Sequence, residues 1–415
     1  MFLYLLYLFI SPVLFILTVF LSFFNIKLRK NLWNFIKTFS IVRSIEPNQD
    51  KRILLFHAAS SGEFEQLKPI LKLINRKQYY IVQSFTSSTI FEQEQDNKLF
   101  DVSCYHPFDF ILFSYLFFKS IRPEKYIITR HDIWPGHIVL ANIMDIECIL
   151  INVNIHKNSI WVHPLIRPLS KYIFNKFHII LAPSDYIKSF ISNQLNISPQ
   201  IIVTGDSRFN QIIERSNENK DLNLLPESVK DYHNIIFASI DSTDQKIIFQ
   251  ALSNSINNFD FQKRKIIFVP HEVNNIVISY LKKELKNLSL NFILFSDINN
   301  QNLASYDVII IDVVGILADL YQYADLAYVG GGFVRGVHSV IEPAVYNCQI
   351  SFGPNYEMLD EAKTMINEKL AYQINDVESM QIFLNFNNDL KMKSTQEFVL
   401  KNEKNKTDIL KYILD

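Results

Sequence analysis

Apolar and polar residues alternate in blocks along most of this chain. Between Lys51 and residue 206, short apolar runs are separated by longer amphipathic stretches, and the runs are RILLFHA, YYIVQSF, KYIITR, CILINVNI, HIILAPS and QIIVTGD. Nearly unbroken runs rich in β-branched residues are typical of parallel strands that are buried on both faces. The stretches between them, such as 63–75 and DYIKSFISNQL from Asp185, have helical spacing. Strands that alternate with helices predict a doubly wound α/β unit.

The same pattern starts again after a polar interval. The segment RSNENKDLNLLPESVKDYH (215–233) separates the first set of runs from NIIFAS, RKIIFVP, NFILFSD, DVIIID, ADLAYVGG, CQISFGP and KLAYQI. We therefore predict one domain over 25–215 and a second over 216–390. The remaining residues, 391–415, form a charged amphipathic pattern that predicts a C-terminal helix, which could pack back on the N-terminal domain.

The first 24 residues differ from everything that follows, because they carry no charged side chain. As a helix they would extend about 36 Å, enough to cross a hydrocarbon core of about 30 Å. The basic residues that follow, Lys27, Arg29, Lys30 and Lys37, place this flank in the cytoplasm. Neither the basic start nor the cleavage site of a signal peptide is present. We predict a membrane anchor in 1–24. A straight span, a shallow insertion kinked at Pro12 and a helix packed on the protein body all remain open.

Composition excludes several other classes of protein. Lys and Arg (41) balance Asp and Glu (42), so no general nucleic-acid-binding surface is predicted. The three cysteines, Cys104, Cys148 and Cys348, have neither zinc-site spacing nor the even number of a disulfide framework. They are therefore expected to be buried, reduced side chains.

Strand-to-helix loops are where open α/β sheets bind ligands. The first such loop, HAASSGEFE, carries Glu63 where the next helix should begin. Two interpretations stand side by side. The spacing Ser60-x-x-Glu63 is that of a capping box, in which Glu63 satisfies a backbone N–H. A carboxylate at this position could equally act as a general base.

The most unusual loop is AYVGGGFVRGVHSVIEP (327–343). The chain has only nine glycines, and Gly330, Gly331, Gly332 and Gly336 all lie here. Neither the dinucleotide pattern G-x-G-x-x-G nor a Walker ending is present. What remains is a glycine-rich loop that can bring N–H groups close to a phosphate. Because proline is favoured at the first helical position, we predict that Pro343 starts a helix. Glu342 would then keep its carboxylate available for ligand hydroxyls.

Other loops at predicted strand ends are VPHEV, FASIDSTD, VTGDSRFN, TRHDIWPGH and DVVGIL. Each is a weak signal alone. His271 and Arg208 gain weight because two α/β domains would direct such loops at one interdomain cleft. His57 and His106 have no partner that the sequence identifies, and a structural role is predicted for both.

Several of these segments together resemble a known family. HAASSGEFEQLKP, TRHDIWP, VTGDSRF, FVPHEV and the long block DLYQYADLAYVGGGFVRGVHSVIEPAVYNCQISFGPNYEMLDEAK are similar to the 3-deoxy-D-manno-octulosonic acid (Kdo) transferases of lipopolysaccharide assembly, in a Bacteroidota-like version. The resemblance runs from about residue 3 to 390. It implies an α/β GT-B fold, two Rossmann-like domains facing a cleft, tethered to the cytoplasmic face of the inner membrane.

The resemblance also implies a reaction. Family members transfer Kdo from CMP-Kdo to the lipid A precursor lipid IVA with inversion, without a metal or another cofactor. The partners implied are therefore CMP-Kdo, the lipid A precursor and membrane lipids, with no nucleic acid. By motif, Glu63 matches the general base, and Arg208, Arg130 and Asp132 match residues linked to transition-state support. The substrate contacts that the resemblance, together with these loops, implies are Ser61, Gly62, Ser239, Pro270, His271, Val314, Gly315, Ile316, Gly331, Gly332, Gly336, His338, Ser339, Val340, Ile341 and Glu342.

The chain departs from the family pattern at three positions. Ile90 replaces a glycine, Ile240 replaces a hydroxyl residue, and Ser339 stands where asparagine is common, which puts the finer acceptor and phosphate contacts in doubt. Two other functions remain open. The chain could be another GT-B transferase that uses a UDP- or ADP-sugar with a lipid or cell-wall acceptor, or a catalytically silent membrane-tethered binding protein.

Overall fold

The computed structural model describes residues 2–45, 50–219, 222–256, 259–298, 303–386, 393–403 and 406–415. The chain forms two compact units, one of Met1–Gln211 with Glu403–Asp415 and one of Ile212–Asn402. The division therefore lies within a helix, Ser207–Glu218, slightly before the predicted boundary at 215. The predicted boundary at 390 lies outside the described residues.

The first unit combines two N-terminal helices with a seven-stranded parallel sheet and its connecting helices. The helices are α1 (Phe2–Ser22), α2 (Ile26–Arg43), α3 (Ser61–Leu71), α4 (Ser88–Glu94), α5 (Ile111–Ile121), α6 (Pro135–Ile143), α7 (Arg167–Phe174), α8 (Asp185–Leu195) and α9 (Ser207–Glu218). The strands are β1 (Arg52–Ala58), β2 (Tyr79–Phe85), β3 (Val102–Tyr105), β4 (Lys125–Thr129), β5 (Glu147–Ile151), β6 (Ile179–Ala182) and β7 (Gln200–Val203).

The strand order in this sheet is β3-β2-β1-β4-β5-β6-β7. The sheet core is apolar, and Leu54, Leu55 and Phe56 of β1 are fully buried, as an apolar run with helices on both faces requires. Strand β1 pairs with β2 on one side and with β4 on the other. The direction of winding therefore reverses between β1 and β4, which puts the loops that follow these two strands next to each other.

The second unit repeats this architecture with a separate sheet. Its helices are α10 (Ser242–Ser255), α11 (Asn275–Asn287), α12 (Leu317–Leu320), α13 (Ile341–Val345), α14 (Asp360–Asn367), α15 (Val377–Leu384) and α16 (Thr395–Asn402). Its strands are β8 (His233–Ile240), β9 (Arg264–Pro270), β10 (Phe292–Leu294), β11 (Val308–Ile310), β12 (Leu326–Val329), β13 (Gln349–Phe352) and β14 (Ala371–Gln373). The order β10-β11-β9-β8-β12-β13-β14 reverses between β8 and β12.

Helix α1 is long and apolar enough to cross a membrane. One stripe of it packs on the first unit: Tyr4 is buried, and the Phe15 ring contacts those of Phe35, Phe108 and Phe113. The opposite face is exposed and almost entirely apolar, with Phe2, Leu5, Phe9, Val13, Ile16 and Phe20. The helix thus combines a face that packs on the protein body with a second, apolar face that no described residue covers.

The C-terminal stretch forms two short helices instead of the single predicted one. Helix α16 packs against α13 in the second unit, whereas α17 (Lys406–Leu414) belongs to the first unit. There Ile409 and Ile413 are buried in the hydrophobic core beside α3. The amphipathic pattern spans both segments, so it did not indicate that they pack on different cores.

Candidate active site

The point where the strand order reverses is where a doubly wound sheet forms a crevice at its carboxyl edge. In the first unit this edge brings the loop after β1, which leads into α3 and Glu63, beside the loop after β4, which carries Arg130, His131 and Asp132. In the second unit the loop after β8, with Ser239, lies beside the glycine loop after β12.

Glu63 is the third residue of α3, and its side chain has both features that the sequence suggested. The Ser60 hydroxyl accepts a hydrogen bond from the Glu63 N–H at 3.4 Å. One oxygen of the Glu63 carboxylate accepts a hydrogen bond from the Ala59 N–H at 2.6 Å, and not from the N–H of the cap residue, Ser60. Its other oxygen, Oε1, lies 4.0 Å from Nδ1 of His131. One oxygen therefore anchors the carboxylate while the second is directed at the neighbouring loop.

Burial gives the Glu63 carboxylate the properties of a base. The residue is only 3 % exposed, and this burial raises its pKa, against the lowering effects of the Ala59 N–H and of His131. A buried carboxylate with a raised pKa binds a proton more readily than one in water. Such groups are typical of general acid–base catalysis.

Asp132 lies in the same crevice as a second, different carboxylate. Its Oδ2 accepts hydrogen bonds from His57 Nε2 at 2.8 Å and from the Thr86 hydroxyl at 3.0 Å. Burial disfavours the ionised form, but the bond and charge of His57 outweigh it and lower the pKa of Asp132 to about 2. The site thus pairs a carboxylate that gains protons easily with one that remains ionised. Nothing in the sequence indicated the contact between His57 and Asp132.

Arg208 is held by a carboxylate that sequence reasoning did not single out. Its Nε and Nη2 donate to Oδ2 of Asp206 at 2.8 and 2.7 Å. Burial opposes ionisation of Asp206, but Arg208 and, more weakly, Arg130 lower its pKa. Arg208 and Arg130, both predicted as site residues, therefore both stabilise the ionised form of Asp206. Its only signal in the sequence was its place in VTGDSRF.

The glycines of the second unit are required by the chain's own packing. A Cβ at Gly332 would lie 2.6 Å from Cα of Gly353, and one at Gly331, where φ is +87°, would lie 2.6 Å from the Gly336 carbonyl oxygen. A Cβ at Gly330 would lie 2.5 Å from the Ser239 carbonyl oxygen. The run of three glycines thus lets the loop fold against neighbouring backbone, whatever ligand it contacts.

A buried carboxylate fixes the shape of this loop. Asp244, fully buried on α10, accepts hydrogen bonds from the Gly331 N–H at 2.9 Å, the Tyr328 hydroxyl at 2.7 Å and the Asp241 N–H at 2.9 Å. Burial raises its pKa, against these three donors. Asp244 ties the start of α10 to the glycine loop, and sequence analysis missed it because the two are 87 residues apart.

Three predicted substrate contacts come together beside the glycine loop. The rings of His271 and His338 stack with centroids 4.8 Å apart, and the Ser239 hydroxyl lies 3.0 Å from Nδ1 of His271. Burial, and then the proximity of His271, lower the pKa of His338. Ile240, one of the departures from the family pattern, is buried in the hydrophobic core of the unit.

The prediction that Pro343 starts a helix is wrong. Helix α13 begins at Ile341, so Pro343 is its third residue. Proline is tolerated there because the N–H groups of the first turn have no partner within the helix. Glu342 is half-buried in that turn, and burial raises its pKa to about 6, against the positive charge of Arg215. Val340 and Ile341 are fully buried, so only their backbones can reach a ligand.

The remaining predicted contacts lie at loop surfaces. Pro270 ends β9 and is buried, whereas Val314 and Gly315 are exposed before α12, and Ile316 caps that helix. Ser61 and Gly62 are exposed in the first turn of α3, and Ser339 and Gly336 are half-buried in the glycine loop. Ile90, the third departure, is buried on α4. Within the described ranges no three His, Cys, Asp or Glu side chains cluster as metal ligands would.

Known proteins resemble this chain in sequence and in fold. Residues 34–211 match the family model of 3-deoxy-D-manno-octulosonic-acid transferase (kdotransferase). The 3-deoxy-D-manno-octulosonic acid transferase of Rickettsia bellii is 26 % identical over 86 % of this chain and 86 % of its own length. That of Aquifex aeolicus is 24 % identical over 80 % of this chain and 86 % of its own length.

Two solved structures show the fold. A glycosyltransferase from Rickettsia africae covers 88 % of this chain and 97 % of its own with a TM-score of 0.56 at 13 % identity. A UDP-GlcNAc 2-epimerase from Methanocaldococcus jannaschii covers 87 % and 99 % with a TM-score of 0.55 at 15 % identity. The predicted α/β GT-B fold, built of two Rossmann-like units, is thereby confirmed. With the family model and the relatives above, the chain is similar to the Kdo transferases over most of its length.

Proposed function

We propose that this protein transfers Kdo from CMP-Kdo to the lipid A precursor lipid IVA, with inversion, and that Glu63 is the general base. The observation that carries the proposal is the Glu63 carboxylate. It is buried at the carboxyl edge of the first sheet, with one oxygen anchored on the Ala59 N–H and a raised pKa. Similarity to the Kdo transferases supports the identity of the sugar.

In the proposed step, the oxygen of the acceptor's primary hydroxyl attacks the anomeric carbon of Kdo as its proton passes to Glu63. The bond between that carbon and the phosphate oxygen breaks, and CMP leaves as a phosphate monoester. A single displacement of this kind inverts the anomeric centre. The base must lie within hydrogen-bond reach of the hydroxyl, and general-base assistance of this type contributes about 10²- to 10⁴-fold.

Negative charge develops on the leaving phosphate, and cationic or N–H groups must compensate for it. In the proposal, Arg208 and Arg130 supply positive charge, while His271, Ser239 and the glycine loop bind the donor. Two aspartates position these groups, because Asp206 pairs with Arg208 and Asp244 accepts a hydrogen bond from the Gly331 N–H. Because these groups compensate for the negative charge of the phosphate, the proposed reaction involves no metal.

The exposed apolar face of α1 supports a membrane location for the reaction. Phe2, Phe9 and Phe20 lie on this face. An amphipathic acceptor resides in the same bilayer, so attachment by α1 would raise the frequency of encounter. We propose that the protein works at the cytoplasmic face of the inner membrane, as the basic residues after α1 indicate.

Donor binding should weaken in acid because of Glu342. Its pKa is about 6, so the carboxylate that would accept ribose hydroxyls is present at pH 7.5 and mostly protonated at pH 5. We expect the Kd for CMP, measured by calorimetry, to rise about 10-fold more in wild type than in Glu342→Gln over this interval. The comparison cancels the titration of the phosphate and of His338, which both proteins share. Equal pH dependence in the two would contradict the assignment.

The identity of the nucleotide separates the proposal from other GT-B transferases. We expect CMP to raise the unfolding temperature of the protein more than UDP or ADP does at equal concentration, because a ligand that binds only the native state stabilises it. Differential scanning fluorimetry measures this directly. A clear preference for UDP or ADP would contradict the proposal and favour a different sugar donor.

A further inference from the structure

His57 lies on the strand that leads to the candidate base, and the sequence predicted only a structural role for it. It is the sixth residue of β1, its side chain is fully buried, and five residues separate it from Glu63 along the chain. Both ring nitrogens have partners. Nε2 lies 2.8 Å from Oδ2 of Asp132, and Nδ1 lies 3.0 Å from the Ser84 hydroxyl.

His57 holds Oδ2 of Asp132, whose side chain is partly exposed. The Asp132 side chain is 24 % exposed, whereas that of His57 is not exposed at all. Oδ2 is also bonded to the Thr86 hydroxyl at 3.0 Å, so two donors, one on β1 and one directly after β2, hold the same oxygen. The imidazole is the buried partner, and the carboxylate extends from it to the surface of the crevice.

The surroundings of His57 leave its ring little freedom to turn. The His106 ring packs on it with centroids 4.0 Å apart. His106 in turn bonds the same Ser84 hydroxyl at 3.2 Å and the Tyr126 hydroxyl at 3.3 Å. Burial, followed by the nearby His57 and His137, lowers the pKa of His106 well below its usual value, so this second ring is neutral. Packed against His106 and bonded at both nitrogens, the His57 ring keeps Nε2 directed at Asp132.

We propose that His57 is a positioning residue for the transfer reaction, which holds Asp132 in its ionised form and in a single orientation beside Glu63. This proposal rests on the proposed function, because it concerns the same site. Both residues also influence the base. Burial has the largest effect on the pKa of Glu63 and raises it, the Ala59 N–H and His131 lower it, and after these His57 lowers it and Asp132 raises it. An arrangement in which Asp132 turned away would change both the geometry and the basicity of the site.

Two substitutions separate positioning from simple packing. Glutamine at position 57 can place a donor N–H close to the former Nε2, whereas asparagine places its amide near the former Nδ1 and cannot reach Asp132. We expect His57→Asn to lower kcat about 10- to 100-fold with an unchanged Kd for CMP, and His57→Gln to retain most of the activity. His178→Asn, at an exposed histidine of the same unit, is the matched control and should behave like wild type.

A measurement without substrate tests the contact itself. In ¹⁵N-histidine-labelled full-length protein, the His57 Nε2–H should give a resonance protected from exchange with water. This resonance should vanish in His57→Gln and lose its protection in Asp132→Ala, which has no acceptor oxygen. If it does not respond to Asp132→Ala, or if His57→Asn and His57→Gln have the same kcat, the proposal is overturned. Failure of wild type to transfer Kdo would instead refute the proposed function, while the resonance would still decide the contact.

Discussion

Glu63→Gln is expected to lower kcat for Kdo transfer by at least about 100-fold, because an amide cannot accept the acceptor's proton. The fold should be preserved, since the glutamine carbonyl can still accept the Ala59 N–H that the carboxylate accepts now. CMP binding should be unchanged, because Glu63 is not among the residues proposed to bind the donor. Initial rates with CMP-Kdo and a tetraacylated lipid A precursor give the first value, and calorimetry with CMP gives the second.

Glu65→Gln supplies the matched control on the same helix. Glu65 is partly exposed and pairs with Lys68, and its loss should cost no more than about 1 kcal/mol of stability. Its activity should equal that of wild type. Nearly full activity in Glu63→Gln, together with full activity in Glu65→Gln, would exclude Glu63 as the base. In that case the carboxylate would serve only to cap α3.

Gly332→Ala is expected to have the largest effect on stability. The new Cβ would lie 2.6 Å from both N and Cα of Gly353, and backbone at this distance cannot move aside without separating the glycine loop from the end of β13. Overpacking of this kind costs about 3 kcal/mol, which for a unit of this size lowers Tm by about 6–12 °C. Differential scanning calorimetry should resolve the loss, and CMP binding should weaken with it.

The contrast with Gly62→Ala makes this prediction specific. A Cβ at Gly62 would meet no heavy atom within 4 Å, and the residue is helical. Alanine there should therefore leave Tm unchanged or raise it slightly, since glycine is the poorer helix former by up to about 1 kcal/mol. If both substitutions lowered Tm equally, the explanation by close approach to Gly353 would be wrong.

Much of the fold could be predicted from the sequence, because strands buried on both faces leave a strong pattern. The run RILLFHA coincides with β1, and DYIKSFISNQL coincides with α8. The pattern failed where it was short or ambiguous. Strand β3 has only four residues, VSCY, and its two central residues are small: Ser103 is polar and Cys104 is weakly apolar. The polar stretch from residue 215, which we interpreted as the interval between two domains, begins inside α9. The polar residues on the exposed side of an amphipathic helix have the same composition as those of a linker.

The candidate site was predictable only as far as local sequence determines it. The sequence placed Glu63 correctly at the start of a helix but could not distinguish a cap from a base. The structure shows that the carboxylate both accepts the Ala59 N–H and is buried beside another loop. The contact of His57 with Asp132 spans 75 residues and exists because β4 pairs with β1. Similarly, Gly332 meets Gly353 through the pairing of β12 with β13.

Transfer of Kdo from CMP-Kdo to a lipid A precursor is the reaction on which the assignments above depend. Mass spectrometry of the lipid, after incubation of the full-length protein with CMP-Kdo and tetraacylated precursor in detergent, tests this reaction. We expect the lipid to gain whole Kdo residues while CMP is released, and Glu63→Gln to leave the lipid unchanged. An unchanged lipid with wild-type protein that is folded and binds CMP would contradict it.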